Sequence, residues 1–208
     1  MATHPLWRPY LASANAQRQG QRVAFRQTDP GPFSEHRSEW ASDFETLRGI
    51  IEPALGNLMI DLQHVGSTAI LGAPAKPVID IDLTVPDVTD EPTWLPLLEA
   101  AGFRLIFRDA MAGDEHRQLT YASPNANLHA WSPGAIEPQR HALFVAHLRT
   151  NEADRRRYAE AKHAALQDTT GARYNDLKAA VIYDIYENAF SADAEHEHLP
   201  QPRSTGNR

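Results

Sequence analysis

Asp80 and Asp82 flank a single isoleucine in the run Val78-Ile79-Asp80-Ile81-Asp82-Leu83-Thr84-Val85, and twelve residues separate Asp80 from an upstream Gly66-Ser67 pair. On a β-strand, residues two apart point to the same side. Val78, Asp80, Asp82 and Thr84 therefore share one face, and Ile79, Ile81, Leu83 and Val85 share the other. The second set is a core face. The first places two carboxylates side by side, where they repel unless something positive lies between them. Mg²⁺ takes oxygen ligands, commonly one or two carboxylates together with substrate phosphates. Such an ion neutralises a phosphate, orients it and activates an attacking oxygen. Alone, Asp-x-Asp is equally the pattern of a half-exposed strand with a solvated acidic face. The glycine lets the backbone approach a ligand closely, and exposed amides with a serine hydroxyl hold phosphate, although Gly-Ser also makes plain turns.

The elements that must position these residues follow from periodicity. Trp40, Phe44, Leu47, Ile51 and Leu55 recur at helical spacing, which predicts an amphipathic helix with Ser38 as N-cap and Gly56 as stop. Residues 58–65 read as a strand ending at Gly66, and residues 78–85 as the clearest strand in the chain. Thr93 to Gly102 predicts a short helix, and the runs FRLIFR, HRQLTYA and ANLHAW predict three more strands. From about Glu137 the pattern turns helical, with helices over 141–149, 152–167 and 174–190. This order predicts an α+β (α/β) fold: a mixed sheet flanked by helices, with a helical C-terminal part. Residues 1–37 are polar and read as a leader, partly disordered; 38–190 form the domain, and 191–208 a disordered tail.

The run HVGSTAILGAPAKPVIDIDLTV (64–85) resembles the signature of the nucleotidyltransferase superfamily, and more narrowly that of the GrpB-like family. The resemblance continues at NLHAW (127–131), HALFVAHLR, YAEAKHAAL and YNDLKAAVI (174–182), and covers roughly residues 38–190. It implies a nucleotidyltransferase-like fold in which Gly66 and Ser67 contact a nucleotide phosphate while Asp80 and Asp82 bind Mg²⁺ or Mn²⁺. Lys76, just before the acidic strand, is a further phosphate candidate or a solvated loop lysine. His64 lines the site or is a satisfied strand histidine. Lys178 occurs where the family also places a lysine; periodicity alone makes it a solvated helix residue.

The superfamily's third carboxylate is expected on a strand flanking Asp80 and Asp82. ANLHAW is the natural choice, yet its central polar residue is His129. A histidine there is a metal ligand, a general base with a pKa near neutrality, or a pocket residue holding the strand. Arg117 is the best arginine for phosphate oxygens, or else an internal ion-pair partner of Asp80 or Asp82. The triplet Arg155, Arg156 and Arg157 reads as a solvent face.

Composition bounds the rest. The net charge of −7 argues against broad nucleic-acid binding. The chain has no cysteine, which excludes disulfides, thiolate metal sites and cysteine nucleophiles. No signal-like start and no apolar run of about 20 residues is present, so a cytoplasmic protein without a membrane span is expected. Three functions compete. The first is metal-dependent transfer of a nucleotidyl group from a nucleoside triphosphate, with Asp80, Asp82 and His129 catalytic. The second is a non-catalytic module binding a nucleotide or a coenzyme-A-like molecule, since some GrpB-like domains are fused to a dephospho-coenzyme-A kinase. The third is a metal hydrolase using Asp80, Asp82, His64 and His129.

Overall fold

The computed structural model describes residues 2–10, 20–111, 113–167 and 174–203. The chain divides into two compact units, Gln19–Val145 and the pair of segments Met1–Arg18 and Ala146–Arg208.

The first unit is built on a six-stranded sheet. Its strands are β1 (Gly20–Arg22), β2 (Asp61–Val65), β3 (Ile79–Thr84), β4 (Arg104–Met111), β5 (Asp114–Tyr121) and β6 (Ala126–Trp131), in the order β1-β4-β5-β6-β3-β2. All neighbouring pairs are antiparallel except β3 and β6, which run parallel. The fold is thus α+β with a mixed sheet, as the order of patterned segments predicts.

Helix α1 (Glu39–Leu55) buries Trp40, Phe44, Leu47, Ile51 and Leu55, the stripe set by its spacing. Gly56 ends it at φ 53°, a left-handed conformation that favours glycine. Helix α2 (Glu91–Ala100) buries Trp94, Leu95 and Leu98. These side chains form one core with Ile79, Ile81 and Leu83 of β3 and Leu128 of β6. Full burial of each such aliphatic side chain stabilises by about 1.5–3 kcal/mol, and this core holds β3 in the sheet. Helix α3 (Ile136–Thr150) starts in this unit, where the Ile136 amide donates to Asp114 Oδ2 at 2.8 Å.

The second unit contains α4 (Glu152–Gln167) and α5 (Tyr174–Ala192). Asn188 Nδ2 of α5 donates to Asp154 Oδ2 of α4 at 2.9 Å, and Arg157 pairs with Asp184 at 3.2 Å. The described residues of both terminal segments make specific contacts. Gly20–Arg22 is a strand paired with β4. Trp7 Nε1 donates to Glu187 Oε1 at 2.9 Å, and the Leu199 amide donates to the Ala2 carbonyl at 3.1 Å. These segments lack periodicity, but they carry rings and carboxylates that pair across some 190 residues of sequence. No helix among the described residues is long and apolar enough to cross a membrane.

Candidate functional site

β3 lies between β2 and β6, so each of its residues has a neighbour on either side. Asp80 is in register with Val65 and Asn127, and Asp82 with Gln63 and His129. On β5, Thr120 and Gln118 continue the two rows. The acidic face of β3 therefore belongs to a polar face of the sheet, opposite the side covered by α1 and α2.

Asp80 is half-buried, and its Oδ1 accepts a hydrogen bond from Asn127 Nδ2 at 2.7 Å. Beside it the chain turns out of β2 through Gly66, at φ 68° and ψ −167°, into a short 3-10 turn over Ser67–Ala69. A Cβ at Gly66 would lie 2.6 Å from Asp80 Oδ2. Glycine is required twice here, by the dihedral and by the carboxylate pressed against the turn. The Gly66-Ser67 backbone and Asp80 thus form one continuous surface.

Asp82 is buried at 3% exposure. Trp131 Nε1 donates to its Oδ1 at 3.0 Å, and His141 Nδ1, from α3, donates to its Oδ2 at 2.8 Å. Burial is the largest single influence on this carboxyl and works to raise its pKa. The His141 bond, the charges of His141 and His129, and the Trp131 bond together outweigh it and hold Asp82 below the ordinary carboxylate range. Burial likewise opposes charge on His141, but the bond and charge of Asp82 outweigh it and move the imidazole above its usual value. Asp82 and His141 form an ion pair in which the carboxylate is buried and the imidazole half-buried.

Behind His129 runs a second polar chain. Asp109 Oδ1 lies 2.5 Å from His116 Nδ1, and His116 Nε2 lies 2.9 Å from His129 Nδ1. His116 is fully buried and packs on the Trp131 ring at 4.3 Å between centroids. His129 is half-buried, at the end of this chain in register with Asp82. Arg26 closes the other side: its guanidinium bonds to Asn127 Oδ1 and, at 2.6 Å, to Asn125 Oδ1. Burial lowers its pKa, against the raising influence of Asp80 and Asp29.

The structure brings Gly66, Ser67, Asp80, Asp82 and His129 into one neighbourhood, and separates others. His64 stands in register with Ile81, on the apolar side. It stacks on Phe44 of α1 at 4.8 Å, and its Nε2 lies 3.0 Å from Thr68 Oγ1; of its two expected roles this is the satisfied strand histidine, which corrects its place among the phosphate-binding residues and breaks the hydrolase set. Arg117 is in register with Ala130, also on the apolar side. It pairs with Glu91 of α2 at 2.6 Å and with Glu115 at 2.8 Å, so it anchors α2 rather than meeting phosphate or the β3 acids. Burial opposes its charge, and the bonds to Glu115 and Glu91 outweigh that, raising its pKa. Lys76 is exposed on the loop entering β3. Lys178 lies on α5, in the second unit.

His141, Arg26, Asn127, Asp109 and His116 are site residues that the sequence reading passed over. His141 is a single histidine at the start of a helical pattern, and Arg26 lies in the stretch read as leader. The alternation of HRQLTYA placed His116 on one face of its strand but not on which face of the sheet.

The donor set fits a hard dication. Two neighbouring carboxylates share a face and supply the oxygen ligands such an ion takes. Each carboxylate oxygen carries two lone pairs, so the Trp131 and His141 bonds leave acceptor capacity on Asp82.

The sequence profile of a family described as GrpB protein matches residues 33–188. A UPF0157 protein of Halalkalibacterium halodurans is 36% identical over 157 residues, 74% of this chain and 80% of its own length. A dephospho-CoA kinase of Mycobacterium tuberculosis is 31% identical over 210 residues, covering 87% of this chain and 50% of that protein. The crystal structure of the conserved protein GrpB from Enterococcus faecalis is similar with a TM-score of 0.65 at 22% identity, over 77% of this chain and 98% of that one. The Cid1 poly(U) polymerase bound to Mg 3'-dATP is similar with a TM-score of 0.52 at 13% identity, over 72% of this chain and 49% of that one. At these identities the two structures speak for the fold alone.

Proposed function

The chain belongs to the GrpB family, and from that premise we propose that it is a metal-dependent nucleotidyltransferase, moving a nucleotidyl group from a nucleoside triphosphate to an acceptor hydroxyl. The observation that carries this reading is the approach of Gly66 to Asp80, where a Cβ would stand 2.6 Å from the carboxylate. It sets the Gly66-Ser67 turn directly beside Asp80. The likeness of the fold to nucleotidyltransferases supports it.

In this reading Gly66 and Ser67 hold phosphate oxygens, and Asp80 with Asp82 holds Mg²⁺ or Mn²⁺. The ion, when bound, supplies charge neutralisation to the phosphates. Asn127 orients Asp80 through its 2.7 Å bond. His129, in register with Asp82, takes the proton of the acceptor hydroxyl as that oxygen bonds to the α-phosphorus and pyrophosphate leaves. Arg26 places a cation near Asp80. The setting we propose is cytoplasmic.

One observation favours a second reading, a nucleotide- or coenzyme-A-binding module without turnover. The β6 residues that face the site are Asn127, His129 and Trp131, none of them acidic, and a dephospho-CoA kinase is among the relatives. Amide NMR titration with each nucleoside triphosphate plus Mg²⁺, and with coenzyme A, tests both. Shifts at Gly66, Ser67, Asp80 and Asn127 accompanied by pyrophosphate release support transfer; the same shifts without release support the module. A triphosphate that leaves these amides unmoved contradicts the site.

A further inference from the structure

Outside the residues matched by the family, the two chain ends meet at a second cluster of ligating groups. Asp193 directly follows the end of α5, and His196 stands three residues on. His4 Nε2 lies 2.9 Å from Asp193 Oδ2, and His196 Nδ1 lies 2.9 Å from the same oxygen. Their ligating atoms all fall within 4.8 Å of one another. His4 is 4% exposed and is held in orientation, its ring stacked on Phe190 at 4.6 Å and its amide bonded to His198 Nδ1. The Glu195 amide donates to Asp193 Oδ1 at 2.9 Å, aiming the other oxygen at the two imidazoles. That amide, then His4 and His196, hold the Asp193 carboxyl far below its ordinary pKa, so the acid is ionised at neutral pH.

We propose that His4, Asp193 and His196 form a binding site for a zinc-class transition dication, tying the N-terminal segment to the segment after α5. Two imidazole nitrogens and one carboxylate oxygen suit Zn²⁺, Co²⁺ or Ni²⁺ and discriminate against Mg²⁺ and Ca²⁺. One short spacer and one long one is an ordinary ligand arrangement for zinc, and three protein donors leave a fourth position for water. Ligands at about 2.0–2.1 Å from a tetrahedral ion stand about 3.3 Å apart. Two of the three donor pairs therefore open by only a few tenths of an ångström from 2.9 Å, and the two imidazole nitrogens settle to that spacing from within 4.8 Å. Side-chain exposures of 20% for Asp193 and 44% for His196 provide entry.

The Leu6 amide donates to His4 Nδ1 at 3.0 Å, on the ring nitrogen opposite the ligating Nε2, so its resonance reports occupancy.

The test uses untagged, metal-stripped full-length protein, titrated with Zn²⁺ by calorimetry and with Co²⁺ by visible absorption. Wild type is expected to take up one Zn²⁺ per chain, to melt higher with it, and to show a shifted Leu6 amide resonance. His196→Ala, which removes a partly exposed ring and leaves the His4–Asp193 contact in place, is expected to weaken uptake at least tenfold; Asp193→Asn should abolish it. Wild type without uptake overturns the proposal. So does uptake that His196→Ala leaves unchanged, or that leaves the Leu6 amide unmoved, because the ion then sits on other histidines. Mg²⁺ in excess is expected to displace nothing. None of these readouts depends on the nucleotide site.

Discussion

Gly66 is the position in the site where a single added methyl group has the least room. Gly66→Ala forces a side chain to φ 68° and against Asp80 Oδ2. That backbone region, essentially restricted to glycine, alone costs about 1–3 kcal/mol for another residue, and the collision adds to it. Replacing Asp80 by alanine removes most of the collision, so Gly66→Ala should be milder by about 1 kcal/mol in an Asp80→Ala background, a coupling that a double-mutant cycle in urea reads directly. Strict additivity would mean that turn and carboxylate do not press on each other.

His141 provides a second residue-scale prediction. Its removal leaves the buried Asp82 carboxylate with one bond fewer, which should cost about 2 kcal/mol. The sign of the pH dependence follows from two shifts. Asp82 is held below its ordinary 3.8, so its contribution is present above that pH and is lost as pH falls through the folded value. His141 is raised above 6.5, so its contribution is full below 6.5 and fades as pH rises through the folded value. The melting difference between wild type and His141→Asn should therefore be widest between about pH 4 and 6.5. It should narrow on the alkaline side, and a difference that keeps growing above pH 7 would contradict the pairing.

At the scale of elements, α2 is fastened to the sheet by a fork. Glu91 accepts from Arg108 at 2.6 Å and from Arg117 at 2.6 Å, and the Arg108 bond, the largest influence on it, holds Glu91 below its ordinary range. Arg117→Met should cost about 1–3 kcal/mol, as expected for a charge-assisted bond lost from a buried group, and leave nucleotide-induced shifts intact. Loss of nucleotide binding with an unchanged melting temperature would return Arg117 to the phosphate site.

Arg117 also shows where sequence stops. The stripe from Trp40 to Leu55 and the alternation of 78–85 define α1 and β3 nearly to their ends, because burying one side of each element leaves a local period. Alternation divides each strand into two faces, but it does not say which of them matches a neighbour's; register decides that. With Val65 opposite Asp80 and Arg117 opposite Ala130, His64 and Arg117 fall on the apolar side. His141 reaches Asp82 across 59 residues of sequence and Arg26 reaches Asn127 across 101, and no local pattern records such a contact.

On the scale of the whole molecule, both chain ends are bound to α5 by groups that composition alone presents as polar and patternless. Trp7 meets Glu187, the His4 ring lies on Phe190, and Tyr10 meets Tyr183 edge-on at 5.5 Å. Deleting residues 1–10 should speed amide exchange in α5 at least tenfold, as expected when a helix loses packed partners; unchanged protection would reduce these contacts to decoration. The central claim is that Asp80 and the Gly66-Ser67 turn bind a metal–nucleotide. The most direct test is thermal unfolding against the four nucleoside triphosphates and coenzyme A, with and without Mg²⁺ or Mn²⁺, on wild type and Asp80→Asn. At a hundred times its dissociation constant a ligand stabilises by about 2.7 kcal/mol, and for a chain of this length each kcal/mol moves the midpoint by about 2–4 °C. A shift of that size is expected with at least one triphosphate, dependent on the metal and lost in Asp80→Asn. A well-folded wild type that responds to no triphosphate, or a shift that Asp80→Asn retains, would contradict the claim.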